Sequence, residues 1–358
     1  MEQPQDPQNP AAAPEEQLTP AQQHVSQLLQ EGKLDEARVA LLEMIVAEEP
    51  VLGRFHERMV QSRFLLARIL ALLGEAQKAE EAIGPLQQVP EDDAQRAGIF
   101  LNARVLVANL RRNQGLYEEA FGLTGAVLEQ IDAAGELVNP DSFRTLLQMI
   151  QIALEAGQHQ QALDLCAKGI ERFQEKVGEA HAHFVLLAGS VFLAAEQYDQ
   201  AREHFEVILK QATEQVGEEN ELVVRAHRYL GQLEADLDNE DKAREHFEKC
   251  VQILSKGADP ELIVEVETQR LPLMIETLET EEALNALGGF AELVARVHGP
   301  RTPKVAEVLA SMGYQHRRAG DVTKAKEIYS AALGIWRAWR PAEDPKVKLL
   351  EGVLAELG

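Results

Sequence analysis

The hexapeptide Ala201-Arg202-Glu203-His204-Phe205-Glu206 returns unchanged as Ala243-Arg244-Glu245-His246-Phe247-Glu248, 42 residues later. Repetition at a fixed period constrains a fold more than any single residue does. It makes the chain an array in which each unit buries its apolar side against its neighbours. With the alanine of the hexapeptide as an anchor, equivalent alanines stand at Ala37, Ala79, Ala120, Ala162, Ala201, Ala243, Ala283 and Ala325, spaced 39 to 42 residues apart. Alanine is common here, so the surrounding pattern has to carry the assignment.

Five residues before the anchor stands a glycine in five units: Gly32, Gly74, Gly115, Gly157 and Gly320. Glycine at that point lets the backbone enter the left-handed region that ends one helix before the next. Three before the anchor, Leu34, Tyr117, Tyr198 and Val322 can plug the turn. Four after it come Leu41, Ile83, Cys166, Phe205, Phe247, Leu287 and Tyr329; seven after come Met44, Leu86, Val127, Ile208, Cys250, Phe290 and Ala332. Offsets of 0, 4 and 7 share one helix face. Twelve before the anchor a small residue, Ala67, Ala108, Gly189, Gly231 or Gly313, permits close approach of a second helix. Each unit therefore reads as a helix, a tight turn and an antiparallel second helix. Val177-Gly178, Val216-Gly217, Lys256-Gly257 and His298-Gly299 read as the joints between units. The seventh unit departs from the pattern, with Pro272 in its first helix and no glycine before Ala283.

Composition agrees. Ala, Leu, Glu and Gln dominate, and these unbranched side chains favour helix, so the expected class is all-α. Net charge is −24, from 59 acidic and 35 basic residues. Such a surface repels phosphate backbones and anionic lipid, which argues against nucleic acid or membrane as partner. The two cysteines, Cys166 and Cys250, fall on apolar positions and read as core residues. Residues 1–20 read as a disordered Pro/Gln/Glu-rich tail without a secretory pattern, so the expected location is cytoplasmic.

The pattern resembles the tetratricopeptide repeat over about Ala21 to Arg340, most clearly in the unit holding Met312-Gly313-Tyr314, Ala319-Gly320-Asp321, Lys324-Ala325 and Tyr329-Ser330-Ala331-Ala332-Leu333. The period is longer than the usual 34 residues and is similar to the 42-residue subtype of kinesin light chains. The resemblance implies a right-handed α-α superhelix of about eight helix-turn-helix repeats over 21–340. Residues 341–358 would add a capping helix, with Val347, Leu350, Val353, Leu354 and Leu357 at helical spacing. It also implies that first helices line a concave groove that receives a peptide or helix of another protein.

The groove residues expected on those inner faces are Gln61 and Arg68; Asn102, Asn109, Arg112 and Asn113; Arg144, Gln148 and Gln151; Arg225, Arg228 and Gln232; and Tyr314, Arg317 and Arg318. Asparagine can pair with a peptide backbone through both donor and acceptor. The guanidiniums can clamp a carboxylate, which points to an acidic partner. A family variant that holds chaperone C-termini uses Lys and Asn at fixed inner positions. Asn109 suits that role, but Val105, His183 and Leu187 stand where basic residues would be needed.

No phosphate-binding loop is present, and Gly288-Gly289 lacks the context of one. His159, His181, His183 and His204 are not expected to gather a metal, because His181 reads as a linker residue and His204, like His246, as an exposed helix position. No cofactor and no catalytic residue is expected. The function read from the sequence is a monomeric, non-catalytic interaction scaffold or adaptor. A self-assembling or regulatory subunit of a larger complex is the alternative.

Overall fold

The computed structural model describes residues 19–87, 97–135, 137–174, 179–255, 257 and 259–358. Among them are helices α1 (Pro20–Gln30), α2 (Leu34–Leu52), α3 (Glu57–Leu72), α4 (Ala76–Ile83), α5 (Ala97–Asn113), α6 (Tyr117–Ala133), α7 (Pro140–Glu155), α8 (His159–Phe173) and α9 (Glu179–Ala194). The series continues with α10 (Tyr198–Val216), α11 (Glu221–Asp236), α12 (Glu240–Leu254), α13 (Pro260–Ile275), α14 (Thr280–His298), α15 (Pro303–Arg318), α16 (Val322–Trp339) and α17 (Pro345–Glu356). No strand occurs among the described residues. Helices α1 to α16 form eight antiparallel pairs, each stacked on the next. Most of the N-terminal tail and the joint residues Val177, Gly178 and Lys256 lie outside the described residues.

The anchors sit where the period places them. All eight alanines are 0% exposed, pressed between the two helices of their pair, where a larger side chain would force the pair apart. The residues at offset four, from Leu41 to Tyr329, are also buried. In the fifth, sixth and eighth units an aromatic ring at that offset lies over the glycine twelve before the anchor. A Cβ on Gly189 would fall 2.5 Å from Phe205, on Gly231 2.9 Å from Phe247, and on Gly313 2.9 Å from Tyr329. Cys166 and Cys250 are buried, and burial pushes both thiols up to about 12.

Turn chemistry follows the register. Gly32, Gly74, Gly115, Gly157 and Gly320 all have positive φ, between 70° and 81°. Units five and six have no glycine there, yet Glu196 and Asp238 take the same left-handed conformation, each at φ 58°. Unit seven turns differently: α13 runs on through Pro272 to Ile275, and α14 starts after an extended Glu279. Helices α7 and α11 begin on polar caps. Asn139 accepts from the Ser142 amide at 2.6 Å and Asn220 from the Leu222 amide at 2.8 Å, which satisfies orphan donors of the first turn. Helix α17 lies on α16 and buries Val347 and Leu350 beside Trp336.

A set of contacts breaks the neighbour-only rule of an array. The end of unit eight returns onto units two and three. Trp339 is 3% exposed and belongs to the apolar cluster of the first three units, with its Nε1 donating to the Arg301 carbonyl at 2.8 Å. Gly299 lies so close to Leu72 that a Cβ would fall 2.9 Å from the Leu72 Cα. Arg340 packs against Gly115, lies over the Tyr117 ring at 5.8 Å and reaches Asp344 at 3.4 Å. Curvature accumulated over eight units brings the two edges together, and burial of Trp339 and Leu72 side-chain surface holds them. The array is thus closed along a seam, with the first helices facing inward.

Candidate functional site on the inner face

The inner-face residues pair with the same face one repeat further on. Gln148 donates to Asn109 at 3.0 Å, and Arg112 donates to Gln151 at 2.7 Å, with Glu155 3.9 Å away. Arg225 donates to Glu265 at 2.8 Å and also binds Glu221. Lys346 of α17 pairs with Glu307 of α15, and Arg317 reaches Glu356 at 3.1 Å. Equivalent positions on successive first helices are neighbours, so opposite or complementary groups 39 or 40 residues apart meet as rungs. Each rung that is partly buried contributes more than an exposed pair, because less water screens it.

The deepest rung is Arg228. It is 7% exposed, stacks on the Tyr229 ring at 4.0 Å and has Glu265 3.5 Å from its guanidinium. The Arg225 guanidinium is held above its ordinary value against the cost of burial, because Glu265 and Glu221 stabilise the cation. These arginines were expected to be available to a ligand carboxylate. The structure gives Arg225, Arg228 and Arg317 carboxylates of the chain itself, since the stacking period sets an acid opposite each.

The remaining expected groove residues divide into two sets. Gln61 donates to Glu57, Gln232 to Asp236, and Arg144 pairs with Asp141, all within one helix. Arg68, Asn102, Asn113, Tyr314 and Arg318 form no hydrogen bond or ion pair among the described residues, and Tyr314 is 57% exposed. Arg68 and Tyr314 stand eleven before their anchors and Asn113 and Arg318 seven before, the same stripe of the same face.

The histidines are placed differently from expectation. His181 lies in α9 rather than in a linker. His204 and His246 are half-buried, because offset three from the anchor points along the neighbouring first helix. His204 packs on Phe192 at 5.1 Å. His246 Nδ1 lies 2.9 Å from His227 Nδ1, so one ring must donate to the other. Burial, with the neighbouring His246 and Lys249, lowers His227 to about 4; burial also lowers His246. Sequence reading missed His227, and its signal was its place on the buried side of a first helix. Among the described residues no group of three or more His, Cys, Asp or Glu could hold a metal ion.

Residues 182–256, the span that holds the duplicated hexapeptide, match the family model of the tetratricopeptide repeat. The chain carries tetratricopeptide repeats.

No curated protein matches the chain in sequence. Solved structures match it in fold. A Rap protein complexed with competence and sporulation factor superposes with TM-score 0.52 at 9% identity, covering 94% of this chain and 95% of that one. The apo form of RapI gives 0.50 at 15% identity, covering 78% and 98%. The nearly identical TPR-like repeats of a Podosopora anserina chain assigned as a kinesin light chain give 0.46 at 16%, covering 55% and 95%. The two likenesses at 0.50 and above show the same all-α fold of stacked helix pairs. Among the described residues no helix is long and apolar enough to cross a membrane.

Proposed function

We propose that this TPR chain is a non-catalytic scaffold that holds a polypeptide segment of another protein on its inner face. The observation that carries the reading is the division of that face. Its charged rungs are satisfied internally and fix the shape, while Arg68, Asn102, Asn113, Tyr314 and Arg318 remain on one stripe with their polar groups uncommitted. Preorganised donors on a rigid support are what a binding surface needs, since little freedom is lost on association. The Rap protein of like fold is seen in complex with its competence and sporulation factor, and the same kind of occupation is proposed here.

Contact through these residues suits a partner that offers backbone amides and carbonyls, with any acidic side chain met by Arg68 or Arg318 rather than by Arg225 and Arg228. A ligand carboxylate at Arg225 and Arg228 would have to displace Glu265, leaving that acid unpaired. A location in the cytoplasm and a monomeric state accompany this reading. The test is affinity capture on the full chain and on a variant carrying Asn113→Ala, Tyr314→Ala and Arg318→Ala. A polypeptide retained in stoichiometric amount by the native chain and at least tenfold less by the variant is expected. Equal retention by both would overturn the assignment of the face.

A further inference from the structure

The acidity of the chain stops short of its end. Residues 301–358 carry ten basic and seven acidic side chains, while the 300 residues before them carry 25 basic and 52 acidic. This net-positive end, made of unit eight and α17, is the part that returns onto units two and three. Two acids of the early units meet it there. Glu75, at the turn of unit two, faces Arg301, whose carbonyl oxygen lies 3.0 Å from the Cβ position of Gly74. Glu155, at the end of α7 in unit four, faces Arg340, Lys304 and Lys346 from the returning end, together with Arg112.

These charges act on closure in both directions. Lys304 is drawn to Glu155 but also lies near Arg112, a charge of its own sign. Burial holds the Glu155 carboxyl above and the Lys304 ammonium below their ordinary values, against the pull of the opposite charges around each. Closing the seam therefore strips water from charges as it pairs them, and the two effects offset each other. The Glu155 side chain is 37% exposed and that of Lys304 48%, so dissolved ions reach both. Closure also limits entry. A polypeptide with a free end can thread a closed array, but a stretch held between two folded domains needs an opening along the side.

We propose that the seam is an ionic latch: the basic end of the chain, released from Glu75 and Glu155, parts from units two to four and admits a partner segment sideways onto the inner face. The proposal rests on the scaffold reading and adds how that face is opened. Salt screens the attraction between the basic end and the acidic units and leaves the contacts of Trp339 and Leu72 in place, so the latch loosens without unfolding of the helix pairs. Removing the charge of Glu155 leaves four cations facing one another, which drives the same parting from within.

Spin labels on cysteines placed at Glu118 and Glu343, both exposed and flanking the Arg340 contact, read the latch in the full chain by pulsed dipolar spectroscopy. Between about 0.01 M and about 1 M salt the Debye length falls from about 30 Å to about 3 Å. The share of long distances should rise at least fivefold over that range while helicity is unchanged. In Glu155→Gln that share should be high at low salt already and should not rise with salt. If Glu155→Gln loses helicity, Arg340→Gln with Lys346→Gln, which removes two of the facing cations, replaces it and should respond to salt less than twofold. Access is read separately, with a maleimide borne by a folded carrier protein, on Tyr314→Cys inside and Glu203→Cys on the outer face. The inner-to-outer ratio of labelling rates should rise at least fivefold with salt. Distances that ignore salt, a variant that responds as the native seam does, or a constant labelling ratio would each overturn the proposal. Since no partner is present, such a result leaves the scaffold reading standing, and a failed capture experiment leaves the latch standing.

Discussion

Replacing Glu265 by alanine is the sharpest perturbation of the inner face. Glu265 accepts from Arg225 at 2.8 Å and lies 3.5 Å from Arg228. Arg225 would keep Glu221, but Arg228, with its side chain only 8% exposed, would lose its one ion-pair partner among the described residues. Breaking a buried pair by removing one member costs about 3–5 kcal/mol, because a desolvated charge is left behind. The Glu265 side chain is 29% exposed, so water already screens the pair and the expected loss falls to about 2 kcal/mol. Urea unfolding followed by far-ultraviolet circular dichroism measures it. Adding Arg228→Met should restore about half of the loss, since an apolar side chain of similar length then lies over Tyr229 without a charge to satisfy. A neutral or stabilising Glu265→Ala, or the absence of any recovery in the double variant, would refute the claim that the rungs hold the face.

Two further predictions concern local features. Glu196→Gly and Asp238→Gly should each stabilise the chain by about 0.5–1 kcal/mol in urea unfolding, because a left-handed non-glycine costs about 1–2 kcal/mol and the entropic cost of glycine offsets only part of it. The reverse change, Gly157→Ala, should destabilise by about 1 kcal/mol although nothing lies within 4 Å of its Cβ position. For the histidine pair, the folded chain keeps His227 neutral down to about pH 4 while the unfolded chain protonates near 6.5. Stability from this pair is therefore complete above about 6.5 and is lost as pH falls from there towards 4. The urea midpoint of the native chain should drop more steeply over that window than that of His227→Gln; parallel slopes would refute it.

Much of this architecture is written at fixed offsets and was open to reading. Eight alanines at a steady period all end fully buried because each meets the same partner helix in the same place. The turn glycines are legible for the same reason, and Glu196 and Asp238 show that register, not residue type, dictates the left-handed turn. The rungs were equally present as complementary residues one period apart, Arg225 with Glu265 or Glu307 with Lys346. They were missed because each first helix was read by itself, without its successor one period on. The closing seam had no periodic signal: Trp339 and Leu72 are ordinary apolar positions until accumulated curvature brings Trp339 into the cluster of the first units and Leu72 against Gly299. Unit seven was visible as an irregularity, and only packing turned Leu271, Leu287 and Pro272 into a cleft.

Closure of the array is the claim on which the shape of the inner face depends, and a pair of spin labels tests it. Glu118 at the start of α6 and Glu343 just after α16 are both exposed and flank the contact of Arg340 with Gly115 and Tyr117. The native cysteines are buried, so cysteines introduced at these two positions label selectively. Pulsed dipolar spectroscopy should give a short, narrow distance distribution that lengthens and broadens when Trp339→Ala is added. A long, broad distribution in the chain with Trp339 intact would show two ends that do not meet, and would contradict the account.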